Sequence, residues 1–277
     1  VCALAGIAYL TIFLNRGTTR QVDAETPHAE KGSAEQQSTD DIASSAAAPI
    51  WEKWPRPQLA LLLTGEQHGY FEPCGCTSSQ LGGMSRRADL AQKLKAAGWT
   101  VRGLDVGGLS RRTTRQAQIK FETTLAALRE LDYVAIGLGP EELRMQPDFL
   151  LSQHVPPLHF LSANLEFFGV PDLGTPLPSA VFEAGGLQIG ITSVMSEELQ
   201  KEVLPHPDIT WKAPGPALTD VIADFDDRNV SLRVLLSQAS VTESDALAEQ
   251  FPSFDVVLTA QGTSDPDPKA PLKKIGD

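Results

Sequence analysis

The stretch TGEQHGYFEPCGCTSSQLGGMSRR, residues 64–87, gathers one histidine, two glutamates and two cysteines, then runs through Gly-Gly into a basic segment. Histidine, carboxylate and thiolate are the side chains that hold metals or carry redox chemistry. The residues before it, LALLLT at 59–64, form a short apolar run that reads as a buried strand. The segment after Gly-Gly reads as a helix from about residue 85 to 97. A strand, a polar loop and a helix in that order place the loop at a strand end, where ligands bind in layered α/β folds.

The pattern repeats downstream. TVRGLDVGG (100–108), DYVAIGLG (132–139) and HFLSANL (159–165) read as strands ending in loops. AVFEAGGLQIGITSV (180–194) reads as a hairpin turning at Gly-Gly. SLRVLLSQ (231–238) and FDVVLTAQG (254–262) are two more buried strands around the helical TESDALAEQF. In QAQIKFETTLAALREL (116–131), Ile119, Leu125, Leu128 and Leu131 are expected on one helical face. Strands alternating with helices predict an α/β fold with helices outside the sheets.

The chain has 277 residues, with a net charge of −12. The acid excess argues against nucleic acid as a partner, because phosphate contacts need clustered Lys and Arg. Three cysteines are too few for a disulfide-built scaffold, and no CxxCH haem-attachment motif occurs. The apolar run at 1–14 is short for a span; with residues upstream it becomes a membrane anchor. Residues 15–57 carry an Ala-, Ser-, Gln- and acid-rich composition without periodicity and read as a disordered acidic linker. The expected organisation is an anchor at 1–14, a linker at 15–57, a folded domain at 58–264 and a linker or further region at 265–277. The domain is expected to be exported and tethered to the membrane by its N-terminus.

The ordered strand-end loops resemble those of the calcineurin-like metallophosphoesterases, in the 5′-nucleotidase (UshA-like) branch. The resemblance rests on TGEQHGYFEP with GGMSRRADL, LDVGGL, DYVAIGLGPEEL, FLSANL, GGLQIGITSV and VVLTAQGTS. It implies an α/β, metallophosphoesterase-like layered β-sandwich flanked by helices. It also implies a pair of metal ions held by Asp, His and Asn, with a bridging hydroxide attacking phosphorus. Position by position, the resemblance puts Glu66 at the first aspartate and His68 at the first histidine. It puts Gly108 at the bridging aspartate, Pro140 at the asparagine and Glu141 at the histidine that stabilises the transition state. Gln238, Gln261 and Thr263 fall where ligand histidines belong. Asp105, three residues before Gly108, lies inside the strand run and is not expected to replace it.

These substitutions imply a domain that binds rather than hydrolyses, with a nucleotide or phosphate-like ligand in the old cleft. Two other readings stay open. One is a phosphoesterase with a rearranged site of Glu66, His68, Cys74, Cys76 and Glu141. The other is a redox accessory domain using Cys74 and Cys76, because the PCGC insert resembles exported UshA-like proteins that work beside multihaem cytochromes or other envelope proteins. For the cysteines themselves, three chemistries compete. They form a strained, easily reduced disulfide or packed thiols; they join His68 and Glu66 around one zinc or similar ion; or they exchange disulfides. Of the remaining conspicuous residues, Glu141 and Glu142 are expected to point apart on an exposed turn. Arg86, Arg87 and the SRRTTRQ segment are expected on solvated helix starts, and His154, His159 and His206 are expected to be surface or satisfied groups.

Overall fold

The computed structural model describes residues 50–72, 82–170, 173–260 and 274–275. After a 3₁₀ turn at Ile50–Lys53, the chain alternates strand and helix. The first half runs β1 (Ala60–Thr64), α1 (Met84–Ala96), β2 (Val101–Asp105), α2 (Arg115–Glu130), β3 (Tyr133–Gly137), α3 (Pro140–Leu143), α4 (Pro147–Gln153) and β4 (His159–Leu161). It continues with β5 (Leu165–Phe167), β6 (Ser179–Ala184), β7 (Leu187–Met195), α5 (Glu197–Gln200), β8 (Ile209–Trp211), α6 (Pro214–Asp227), β9 (Leu232–Gln238), α7 (Val241–Gln250) and β10 (Val256–Thr259).

Strands β1-β2-β3-β4 form a wholly parallel sheet. A second sheet has the order β10-β9-β7-β6, in which only β6 runs antiparallel, as the partner of β7 in a hairpin. β5 and β8 make a small antiparallel ribbon. The period of two in residues 59–63 explains how the sheets stack. Leu59, Leu61 and Leu63 join Leu104, Ile189, Ile191, Val234 and Leu236 in a core between the sheets. Ala60 and Leu62 face the other way, onto Ala91, Leu94, Phe121 and Leu125 of α1 and α2. On the far side, α6 lays Leu218, Val221 and Phe225 against Val194 and Leu235. The layers are helix, sheet, sheet, helix, so β1 is buried along its whole length.

Three details depart from the sequence reading. Ile119 is 48% exposed, and the buried face of α2 is instead Ala117, Phe121, Thr124, Leu125 and Leu128. Those positions follow a helical turn, whereas 119 lies well round the helix from 125. Trp51 and Trp54 pack against the core, with Trp51 set edge-on to Trp99 at 6.2 Å, so the folded body takes in residues expected in the linker. Arg87 is 2% exposed and lies over the Tyr133 ring at 5.7 Å, not on a solvated face. Among the described residues no helix is long and apolar enough to cross a membrane; the segment at 1–14 lies outside them.

Candidate functional site

The parallel strands deliver their C-terminal ends to one edge of the sandwich. A polar cleft there, with about 390 Å³ of empty space open to solvent, is lined by Glu66, His68, Gly108, Gly139, Pro140, Glu141, Arg144, Glu202, Gln238 and Ala260. The loops after β1, β2, β3, β9 and β10 all contribute, so the cleft gathers residues scattered over almost 200 positions of sequence.

The floor is made by two loops zipped together. The N–H of Glu66 donates to Gly107 O at 2.7 Å and that of His68 to Gly108 O at 2.8 Å. To make both bonds, Glu66 and His68 take left-handed backbone conformations, φ 51° and 54°. That geometry costs about 1 kcal/mol or more for each non-glycine residue. Gly108 has φ +75°, and a Cβ there would come 3.0 Å from Glu66 Cα. Sequence reading aligned this position with an acid, yet the backbone conformation and the close Glu66 backbone would strain any side chain there. Gly139 answers a different neighbour: a Cβ on it would lie 2.8 Å from the amide of Gln238. That amide is buried and donates from Nε2 to Val106 O, which ties the end of β9 to the loop after β2.

Glu141 and Glu142 do point apart, but neither sits on a merely exposed turn. Glu141 Oε2 accepts from His68 Nδ1 at 3.0 Å. Arg111 Nη2 donates to His68 Nε2 at 3.0 Å, and Arg111 Nε lies 3.4 Å from Glu141 Oε1. A guanidinium only donates, so the network assigns the His68 proton to Nδ1 and the acceptor lone pair to Nε2. Glu142, 1% exposed, turns inward and accepts the backbone N–H groups of Leu109 (2.6 Å), Gly139 (3.0 Å) and Gly108 (3.2 Å). Burial pushes its carboxyl up to about 7, against the pull of those three donors, and the charge of Glu141 adds to the rise.

Asp105 lies beneath the floor, fully buried. It accepts from Thr64 Oγ1 at 2.5 Å and from the N–H of Gly107 at 2.8 Å. Burial raises its pKa, while the Arg87 charge and the hydrogen bonds oppose the rise. It holds the loop rather than facing the cleft. His154 and His159 meet each other, Nε2 to Nδ1 at 3.1 Å, where α4 ends and β4 begins, and burial lowers both pKa values. His206 accepts locally from the N–H of Asp208.

Of the predicted metal set, Glu66 and His68 share the cleft, while Cys74 and Cys76 lie outside the described residues, as do Gln261 and Thr263. Among the described residues no group of three or more His, Cys, Asp or Glu is arranged to hold a metal ion. Arg111, Arg144 and Glu202 were not among the expected site residues. Arg111 follows Gly108 by three positions in a strand-end loop, the one signal that placed it here; its neighbours in SRRTTRQ read as a helix start.

No family model and no curated protein matches the sequence. Solved structures do match its fold. A 5′-nucleotidase precursor from Thermus thermophilus superposes with a TM-score of 0.60 at 25% identity, covering 68% of this chain and 38% of its own. The NAD nucleotidase NadN of Haemophilus influenzae gives 0.59 at 19%, covering 74% and 38%. The calcineurin-like phosphoesterase YfkN from Bacillus subtilis gives 0.56 at 16%, covering 73% and 71%. The chain thus spans well under half the length of the two nucleotidases.

Proposed function

From a chain that carries the fold of the metallophosphoesterase/5′-nucleotidase superfamily, we propose a domain that does not hydrolyse phosphate esters and serves as a binding or interaction domain through its strand-end cleft. The observation that carries this reading is the double engagement of His68, whose two ring nitrogens are taken by Glu141 and Arg111. A metal needs the lone pair that Nε2 gives to the guanidinium.

The remaining donors fit a pair of metal ions no better. Gly108 offers no side-chain ligand. Gln238 donates from Nε2 to Val106 O and leaves only a neutral amide oxygen where the resemblance puts an imidazole. Glu66, Glu141 and Glu202 are the carboxylates of the cleft, and Glu141 is already paired with Arg111 and His68. A hydrolytic step through two ions therefore has no support in this donor set. The apolar segment at 1–14 and the acidic linker after it support an exported, membrane-tethered placement.

The test is hydrolysis of bis(4-nitrophenyl) phosphate and of nucleotides by the purified chain with Mn²⁺ or Zn²⁺. Turnover is expected to stay at the blank rate and not to change in His68→Ala. Metal-dependent turnover that His68→Ala abolishes would overturn the reading.

A further inference from the structure

The contacts of Arg111 form a closed ring. His68 Nδ1 meets Glu141 Oε2 at 3.0 Å, the other Glu141 oxygen lies 3.4 Å from Arg111 Nε, and Arg111 Nη2 returns to His68 Nε2 at 3.0 Å. The ring brings together one carboxylate, one imidazole and one cation, the components that a metal centre would assemble, with the cation supplied by the chain. The His68 and Glu141 side chains are 8% and 18% exposed, so water competes little for their contacts.

The arginine is presented from an anchored base. Leu109 is fully buried and its N–H is held by Glu142. Ser110 is 3% exposed and its hydroxyl donates to Arg112 O at 3.1 Å. Thr114 then caps α2 by accepting from the N–H of Ala117. Between these fixed points Arg111 has little backbone freedom, so the ordering cost of its long side chain is partly met before it docks. A guanidinium keeps its charge at all accessible pH values, and its planar fork suits two adjacent acceptors.

We propose that the Arg111 guanidinium is a built-in cation of this cleft, holding Glu141 and His68 in place and closing the imidazole to external metal ions. The inference rests on the non-hydrolytic reading, since it says what replaced the ions. Arg111 is a positioning residue: it occupies the Nε2 lone pair of His68 and pairs with Glu141. The cleft that a ligand meets is then bounded by Glu66, Arg144 and Glu202 beside this ring, and ligand binding does not require a metal.

Long-range ¹H–¹⁵N spectra of the histidine rings in the 277-residue chain test this, with His68→Gln assigning the signal. In the unmodified protein His68 is expected as a single Nδ1–H tautomer, and equimolar Zn²⁺ leaves its signals in place. Arg111→Met frees the Nε2 lone pair while Glu141 keeps the proton on Nδ1, so the His68 signals now move on adding Zn²⁺. Arg111→Lys retains the donor, and zinc again leaves the signals in place. A zinc-induced shift of His68 in the unmodified protein, or an Arg111→Met spectrum that zinc does not move, overturns the proposal. The two readings fail separately: metal-dependent phosphodiester turnover with an undisturbed His68 signal removes only the non-hydrolytic reading. An Arg111→Met spectrum that zinc does not move, in a protein without turnover, removes only this one.

Discussion

Glu142 Oε1 accepts the backbone N–H of Leu109 at 2.6 Å, a bond that fastens the loop after β2 to the first turn of α3. Gly108 and Gly139 donate to the other oxygen. The carboxylate is therefore the rivet between two loops of the cleft, in a place with almost no water. Its pKa is raised from 4.5 to about 7, chiefly by burial. A group raised above its unfolded value contributes its stability fully below pH 4.5 and loses it as pH rises through about 7.

At 1.36 kcal/mol per unit, that rise corresponds to about 3 kcal/mol between pH 4 and pH 8. Urea unfolding of the native chain and of Glu142→Gln should diverge by roughly this amount over that range, with Gln giving the flatter profile. Glu142→Ala orphans three buried donors and should cost about 1–3 kcal/mol throughout. Parallel pH profiles for the native chain and the Gln variant would show that Glu142 ionises freely in the fold.

Gly108 tests whether the floor of the cleft tolerates a restored acid. With φ +75° and a hypothetical Cβ 3.0 Å from Glu66 Cα, both the conformation and the close contact strain a side chain. Gly108→Asp and Gly108→Ala should each lose about 2 kcal/mol or more in urea unfolding, and by similar amounts. Equal losses assign the cost to the backbone rather than to charge. A stable Gly108→Asp variant that gains metal-dependent turnover would sink this account of the floor.

His154 and His159 supply the opposite pH dependence. Burial lowers both pKa values, the mutual contact opposes charging His154, and the Arg129 charge adds to the effect on His154. Below the ordinary value of 6.5 the unfolded chain then binds more protons than the fold, so stability falls as pH drops from 6.5 through the depressed values. His159→Gln should reduce that acid-side loss, read as a smaller change in Tm between pH 7 and pH 5. An undiminished loss would place the acid sensitivity elsewhere.

Most of the fold was legible because it rests on local periodicity. The run at 59–64, the strand DYVAIGLG and the Gly-Gly hairpin at 185–186 each announce a buried strand or a turn within ten residues. Ile119 was misplaced because hydrophobicity alone does not say which of two overlapping helical stripes, 117-121-124-128 or one through 119, meets the sheet. The site was less legible. That Glu66 and His68 share a loop is visible in sequence; that His68 meets Glu141 and Arg111 depends on contacts 73 and 43 residues apart. Arg87 and Glu142 were expected in solvent because charge normally means exposure. Each is buried for a tertiary reason, the Tyr133 ring in one case and three converging N–H groups in the other.

The Arg87–Asp105 relation gives the remaining prediction. Asp105 is fully buried, and of the influences that oppose the rise in its pKa the Arg87 charge is the largest. Arg87→Met removes that influence and leaves a buried carboxylate held only by Thr64 Oγ1 and the Gly107 N–H. Losing the largest opposing charge should therefore cost stability in urea unfolding. Because the Asp105 pKa then rises further, the loss in urea unfolding should be larger at pH 8 than at pH 5. Adding Asp105→Asn to Arg87→Met removes the carboxyl and should flatten that pH dependence. A loss that is the same at both pH values, and in both backgrounds, would mean that Arg87 acts through its packing on Tyr133 and not through its charge.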